Sequence, residues 1–123
     1  MKFLVLIYDN PASREVFMAL PPEQRAAGLA AYRALDEELD ATGEKIVSSP
    51  LAYPELTTQV RVVDGATMTT DGPFAEVKEQ LAGFYLLECN TAERAVEIAA
   101  KVPEAEFGVV EVRPLMDLSA FEA

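Results

Sequence analysis

Phe3-Leu4-Val5-Leu6-Ile7-Tyr8 is an unbroken apolar run of strand length, closed by the turn signal Asp9-Asn10-Pro11. Successive side chains of a strand point to opposite faces, so Phe3, Val5 and Ile7 share one face and Leu4, Leu6 and Tyr8 the other. Both faces call for burial. A second strand, predicted over Gly83–Cys89, repeats the pattern, with Phe84 and Leu86 opposed to Tyr85, Leu87 and Cys89. Two main helices can cover only one face of such a sheet. The other face would leave an apolar patch of roughly several hundred Å², which soluble monomers seldom show. The expected cover is a second copy, packed sheet to sheet about a two-fold axis as a homodimer. The C-terminal tail, residues 116–123 with Leu118 and Phe121, is the alternative cover if it docks instead of fraying.

Working outward, Ser13–Leu20 reads as a short helix with Ser13 as N-cap and Val16, Phe17 and Leu20 on one side. Pro21-Pro22 interrupts it. Glu23–Thr42 is the clearest helix, with Leu29, Tyr32, Leu35 and Leu39 at helical spacing and Gly43 as its stop. Its acidic end, Asp36, Glu37, Glu38 and Asp40, reads as a solvated face. Lys45–Leu51 and Thr57–Val63 read as strands that can pair as a hairpin across residues 52–55, with Asp64-Gly65 as the next turn. Met68–Gly83 contains a loop, Thr70-Asp71-Gly72-Pro73-Phe74, and the polar run Glu76–Gln80. Asn90 or Thr91 caps a helix over Ala92–Val102, with Ala95, Ile98 and Ala99 inward. Gly108–Arg113 is a last strand, and Pro114 marks it as an edge. This order predicts an α+β fold, ferredoxin-like βαββαβ with one extra strand, as a single domain over residues 1–123. The extra strand is either 45–51 or 57–63.

Composition narrows the function. Of 123 residues, 10 are Lys or Arg and 21 are Asp or Glu, a net charge of −11. That charge repels nucleic acid and anionic membranes, because binding there rests on neutralising phosphates. The chain contains no His, which removes Ser-His-Asp and Cys-His catalysis and His-based zinc sites. Its single Cys allows no intramolecular disulfide, and Cys89 reads as a core residue. The six apolar residues before Asp9 are too few for a signal peptide or a membrane span, which predicts a cytoplasmic protein. No cofactor and no metal are expected.

Two features could carry chemistry. Arg61 lies between Val60 and Val62, and Glu111 and Arg113 share a strand face by their i, i+2 spacing. If the neighbouring valines face the helices, all three polar side chains share the opposite face, near Asp71. Such a stripe either lines a cavity or closes a sheet edge as an ion pair. The second feature is the tight Gly72-Pro73 bend, where Asp71 can bond the following amides and Phe74 can enter the core. It stands beside Glu76, Lys78 and Glu79 and is either a ligand-binding loop or a rigid loop held by its own hydrogen bonds.

Asp71-Gly72-Pro73-Phe74-Ala75-Glu76-Val77-Lys78-Glu79 closely resembles the DGPF group of the YCII-related superfamily. The resemblance extends over nearly the whole chain, through Met1–Tyr8, Val60-Arg61-Val62-Val63-Asp64-Gly65, Gly83-Phe84-Tyr85 and Glu111-Val112-Arg113-Pro114. Val77 and Ala82 depart from the usual Thr and Gly. The resemblance implies a dimeric α+β barrel of ferredoxin-like units, but no established reaction. Relatives that use a His-Asp pair cannot lend their mechanism to a chain without His. Asp71 supplies only half of such a pair, as the candidate catalytic group. Two readings follow. One is a small-molecule binder or enzyme taking an anionic or carbonyl ligand through Arg61, Asp71, Glu76, Lys78, Glu79, Glu111 and Arg113. The other is a non-catalytic accessory protein linked to sigma-factor or stress-response regulation. An open cavity favours the first, and an exposed apolar patch the second.

Overall fold

The chain runs β1 (Lys2–Asp9), α1 (Pro11–Ala19), α2 (Pro22–Thr42), β2 (Lys45–Pro50), β3 (Thr58–Val63), β4 (Ala66–Asp71), β5 (Gln80–Glu88), α3 (Ala92–Ala99) and β6 (Val110–Pro114). Short 3-10 turns lie at Pro54–Leu56, Pro103–Phe107 and Leu118–Phe121. This computed structural model describes residues 1–74 and 78–122. Strands β2, β5, β1 and β6, in that spatial order, form one antiparallel sheet. Two interleaved split βαβ units, β1-α2-β2 and β5-α3-β6, build it, which is the ferredoxin-like plan. β6 is an edge strand, as Pro114 suggests.

The extra element is not one strand but a separate hairpin of β3 and β4. The expected pairing of 45–51 with 57–63 does not form. β2 instead pairs with β5, Val47 opposite Leu86 and Ser49 opposite Phe84. β3 pairs with the residues that directly follow it, Val63 opposite Ala66 and Arg61 opposite Met68. The cause is local. Asp64 and Gly65 both adopt positive φ, 51° and 77°, which is the two-residue hairpin turn an Asp-Gly pair favours. It folds β3 onto Ala66–Asp71, a Thr-rich stretch that extends well but that sequence reading placed partly in a loop.

The core lies between the sheet and the helices. Phe3, Val5, Ile7, Tyr85, Leu87 and Cys89 meet Leu35 and Leu39 of α2 and Ala95, Ile98 and Ala99 of α3, with Val102 beside them; all are buried. On the opposite face Leu4, Leu6, Tyr8, Phe84 and Leu86 remain half-buried. Two cross-strand rows run over it, Val47–Leu86–Leu4–Arg113 and Ser49–Phe84–Leu6–Glu111. The tail does not supply the missing cover, since Leu118 and Phe121 are both exposed.

The helices differ from expectation in detail. Asn10, not Ser13, caps α1. The Asn10 side chain accepts from the Ser13 amide at 2.8 Å, and Ser13 Oγ accepts from the Asn10 amide at 3.0 Å. α1 buries none of its residues, so Val16 and Phe17 are exposed, and so is Leu29 of α2. Gly43 ends α2 at φ 77°, and Thr91 caps α3. The acidic end of α2 is not simply solvated. Arg94 of α3 grips Glu44 through Nε at 2.9 Å and Nη2 at 2.8 Å, while Lys101 reaches Glu38 and Lys45 reaches Asp40. Tyr32 donates to the Glu104 carboxylate, and burial raises its hydroxyl well above the usual tyrosine value.

Candidate functional site

The turn that follows β4 is held from outside itself. Gly72 N–H donates to the Thr57 carbonyl at 2.6 Å, and Gln59 Nε2 donates to the Gly72 carbonyl at 2.9 Å. Asp71, expected to bond the following amides, is exposed in β4, and among the described residues its carboxylate makes no such bond. Gly72 has φ 91°, a conformation that favours glycine. A Cβ there would meet nothing within 4 Å, so the cost of a side chain lies in the backbone and not in a clash. Gly72→Ala is therefore expected to cost about 1–3 kcal/mol. Urea melts of the two proteins measure it, and coincident curves would contradict it.

Phe74, expected to enter the core, is 66% exposed. It forms with Pro73 one wall of a cavity of about 430 Å³. Leu51, Tyr53, Pro54 and Leu56 also line it, together with Gln59, Gln80 and Leu81. The volume falls in the range of small-molecule sites. A smaller cavity of about 100 Å³ adjoins it through Leu51–Pro54 and Leu81, and Asp9 and Arg14 line its polar end.

This polar end follows from chain order. Asp9 is the last residue of β1, Asn10 caps α1, and Arg14 sits one turn into that helix. Gln80 opens β5 opposite Asp9. The β1–β5 register slips after Ile7, which pairs with Gly83 while Tyr8 pairs with Leu81, so Ala82 bulges out. Its carbonyl accepts from the Leu51 amide at 2.8 Å and fixes the cavity wall. Arg14 Nη2 donates to Gln80 Oε1 at 2.6 Å, and its Nε stands 3.9 Å from Asp9 Oδ1. Burial raises the Asp9 carboxyl above its ordinary value. Arg14 opposes that shift, while Glu104, Glu79 and Glu55 add to it.

The residues singled out from sequence are divided among several places. Glu111 and Arg113 do lie on the sheet face away from the helices, across from Leu6 and Leu4. Both act on Tyr8, whose hydroxyl is raised first by burial and then by the Glu111 carboxylate, with Arg113 opposing. Arg61 does not join them. It sits on the β3–β4 hairpin, where Val60 and Val62 are 67% and 66% exposed instead of facing the core. Among the described residues neither Arg61 nor Arg113 has an ion-pair partner. Glu79 accepts from Asn10 Nδ2 at 3.3 Å, Lys78 is exposed, and Glu76 lies outside the described residues. Among the described residues no three Cys, Asp or Glu side chains converge as metal ligands. Asp9, Arg14 and Gln80 were missed. The available signal is a carboxylate at the very end of a buried strand, within the Asp9-Asn10-Pro11 turn.

Comparison with known proteins gives three results. In sequence, the chain is 49% identical over 53 residues to "Uncharacterized protein R00369" of Rhizobium meliloti (strain 1021), a match spanning 42% of this chain and 43% of that protein. In structure, it is similar to the 5-chloro-2-hydroxyhydroquinone dehydrochlorinase TftG of Burkholderia phenoliruptrix AC1100, solved with 2,5-dihydroxybenzoquinone. That likeness has a TM-score of 0.49 at 18% identity and covers 94% of each chain. The family model for the YCII-related domain matches residues 1–119, and the chain belongs to that family.

Proposed function

We propose that this protein binds a small organic molecule in the cleft beside the Gly72-Pro73 turn, as a cytoplasmic homodimer of the DGPF group. The observation that carries the reading is the 430 Å³ cavity itself, with Pro73 and Phe74 as a wall and an ionisable pair at its adjoining end. An apolar lining with a few convergent polar groups is the usual construction of such sites. The ligand would place an apolar body against Phe74, Tyr53 and Leu81 and turn a carbonyl or charged group toward Arg14. Asp9, raised by burial, is the better candidate than Asp71 for a general base, because Asp71 lines neither cavity. The half-buried apolar sheet face supports a second copy as cover. A free, buried Cys89 suits a reducing compartment.

The accessory-protein reading has one observation in its favour. The β3–β4 hairpin exposes Val60 and Val62 on one face and Met68 on the other, apolar side chains of the kind a protein partner could cover.

Leu81 lines both cavities, so Leu81→Arg is expected to fill the cleft without entering the core. With toluene as the probe, amide NMR shifts of the wild type should move at residues 51–59, 74 and 80–82 and stay still in the variant. Absence of any such movement in the wild type up to the solubility limit would contradict the site.

A further inference from the structure

We infer that the polar end of the cleft selects a neutral head group with a hydrogen-bond donor beside an acceptor, as in a primary carboxamide, with Asp9 taking the donor and Arg14 supplying the acceptor's partner. This rests on the ligand reading above and specifies its chemistry. The Arg14 Nε and Asp9 Oδ1 stand 3.9 Å apart, too far for a direct hydrogen bond. Among the described residues Arg14 spends one side-chain donor, on Gln80, and the Asp9 carboxylate accepts none. A guanidinium carries five donors and a carboxylate about four acceptor sites, so both groups retain capacity toward the same small space. Their side chains are only 20% and 26% exposed, so water satisfies them incompletely.

Charge decides what fits between them. The two groups line one cavity and cancel each other formally. An anionic head would pair with Arg14 and press against the Asp9 carboxylate, which lines the same cavity. A cationic head would pair with Asp9 and press against Arg14. Either leaves one partly buried charge facing its own sign, a costly arrangement. Glu55 and Glu79 are exposed and screened by water, and none of Glu55, Glu79 and Glu104 lines this cavity, so Asp9 and Arg14 set its charge preference. A neutral donor-acceptor head meets both groups at once. The volume agrees: about 100 Å³ has room for a carboxamide, which has three heavy atoms beyond its substituent.

The test is a titration of the intact protein with toluene, benzamide, benzoate and benzylamine, followed by amide NMR. Benzamide should bind about tenfold tighter than each of the other three, the gain of two modest hydrogen bonds. In Asp9→Ala that advantage over toluene should fall to about twofold or less. Benzoate or benzylamine binding tightest would overturn the inference, and so would equal binding of all four, which would leave the cleft standing as an apolar site. Binding of none would overturn the ligand reading together with it.

Discussion

Leu6→Lys is expected to turn a particle of two chains into one of 13.4 kDa at micromolar concentration. Leu6 lies at the centre of the uncovered sheet face, between Phe84 and Glu111 on the neighbouring strands. Burying a leucine contributes about 1.5–3 kcal/mol, and a two-fold interface repeats each contact. Losing both copies and burying two ammonium groups instead should weaken association roughly 100-fold or more. The same substitution leaves the helix-side core untouched, so the chain should still fold. Sedimentation equilibrium reads the result. A wild type that sediments as a single chain at the same concentration would contradict the sheet-to-sheet assembly.

Arg94→Met is expected to cost about 1.5–3 kcal/mol, the range for hydrogen bonds between charged groups. Arg94 holds Glu44 by two of its nitrogens and lies 3.6 Å from Glu38 and 3.3 Å from Glu97, tying α3 to the end of α2. Glu44 is only 16% exposed, so without the guanidinium its carboxylate is left poorly hydrated. The pH dependence follows in sign. Hydrogen bonding to Arg94 holds the Glu44 carboxyl at about 2, below its ordinary 4.5. Its contribution is fully present above pH 4.5 and fades as pH falls toward about 2. Urea midpoints between pH 7 and pH 2 should drop less steeply in Glu44→Gln than in the wild type over that acid window. Parallel acid profiles would show that the pair contributes little.

The central strand pair was legible because β1 and β5 carry continuous apolar runs that call for burial on both faces. Phe3–Tyr8 and Gly83–Cys89 specified both faces, and the structure divides them as the alternation requires. The β3–β4 hairpin was half legible. Asp64-Gly65 announced the turn, but Ala66-Thr67-Met68-Thr69-Thr70-Asp71 has no apolar alternation, because neither of its faces is buried. Misplacing that strand also misplaced Arg61, whose valine neighbours look like core residues by composition and are exposed. At the proposed site the sequence pointed to the Gly72-Pro73 bend but assigned Phe74 to the core, and Phe74 is exposed. The site was not legible at Asp9, Arg14 and Gln80, which lie far apart in sequence and meet only because a bulged register sets Gln80 opposite Asp9.

The most direct measurement of the central claim is a crystal structure of the protein soaked with benzamide. The account predicts the ring between Phe74, Tyr53 and Leu81, with the carboxamide turned toward Asp9 and Arg14. Benzamide bound elsewhere on the molecule, with only water between Phe74 and Leu81, would contradict it.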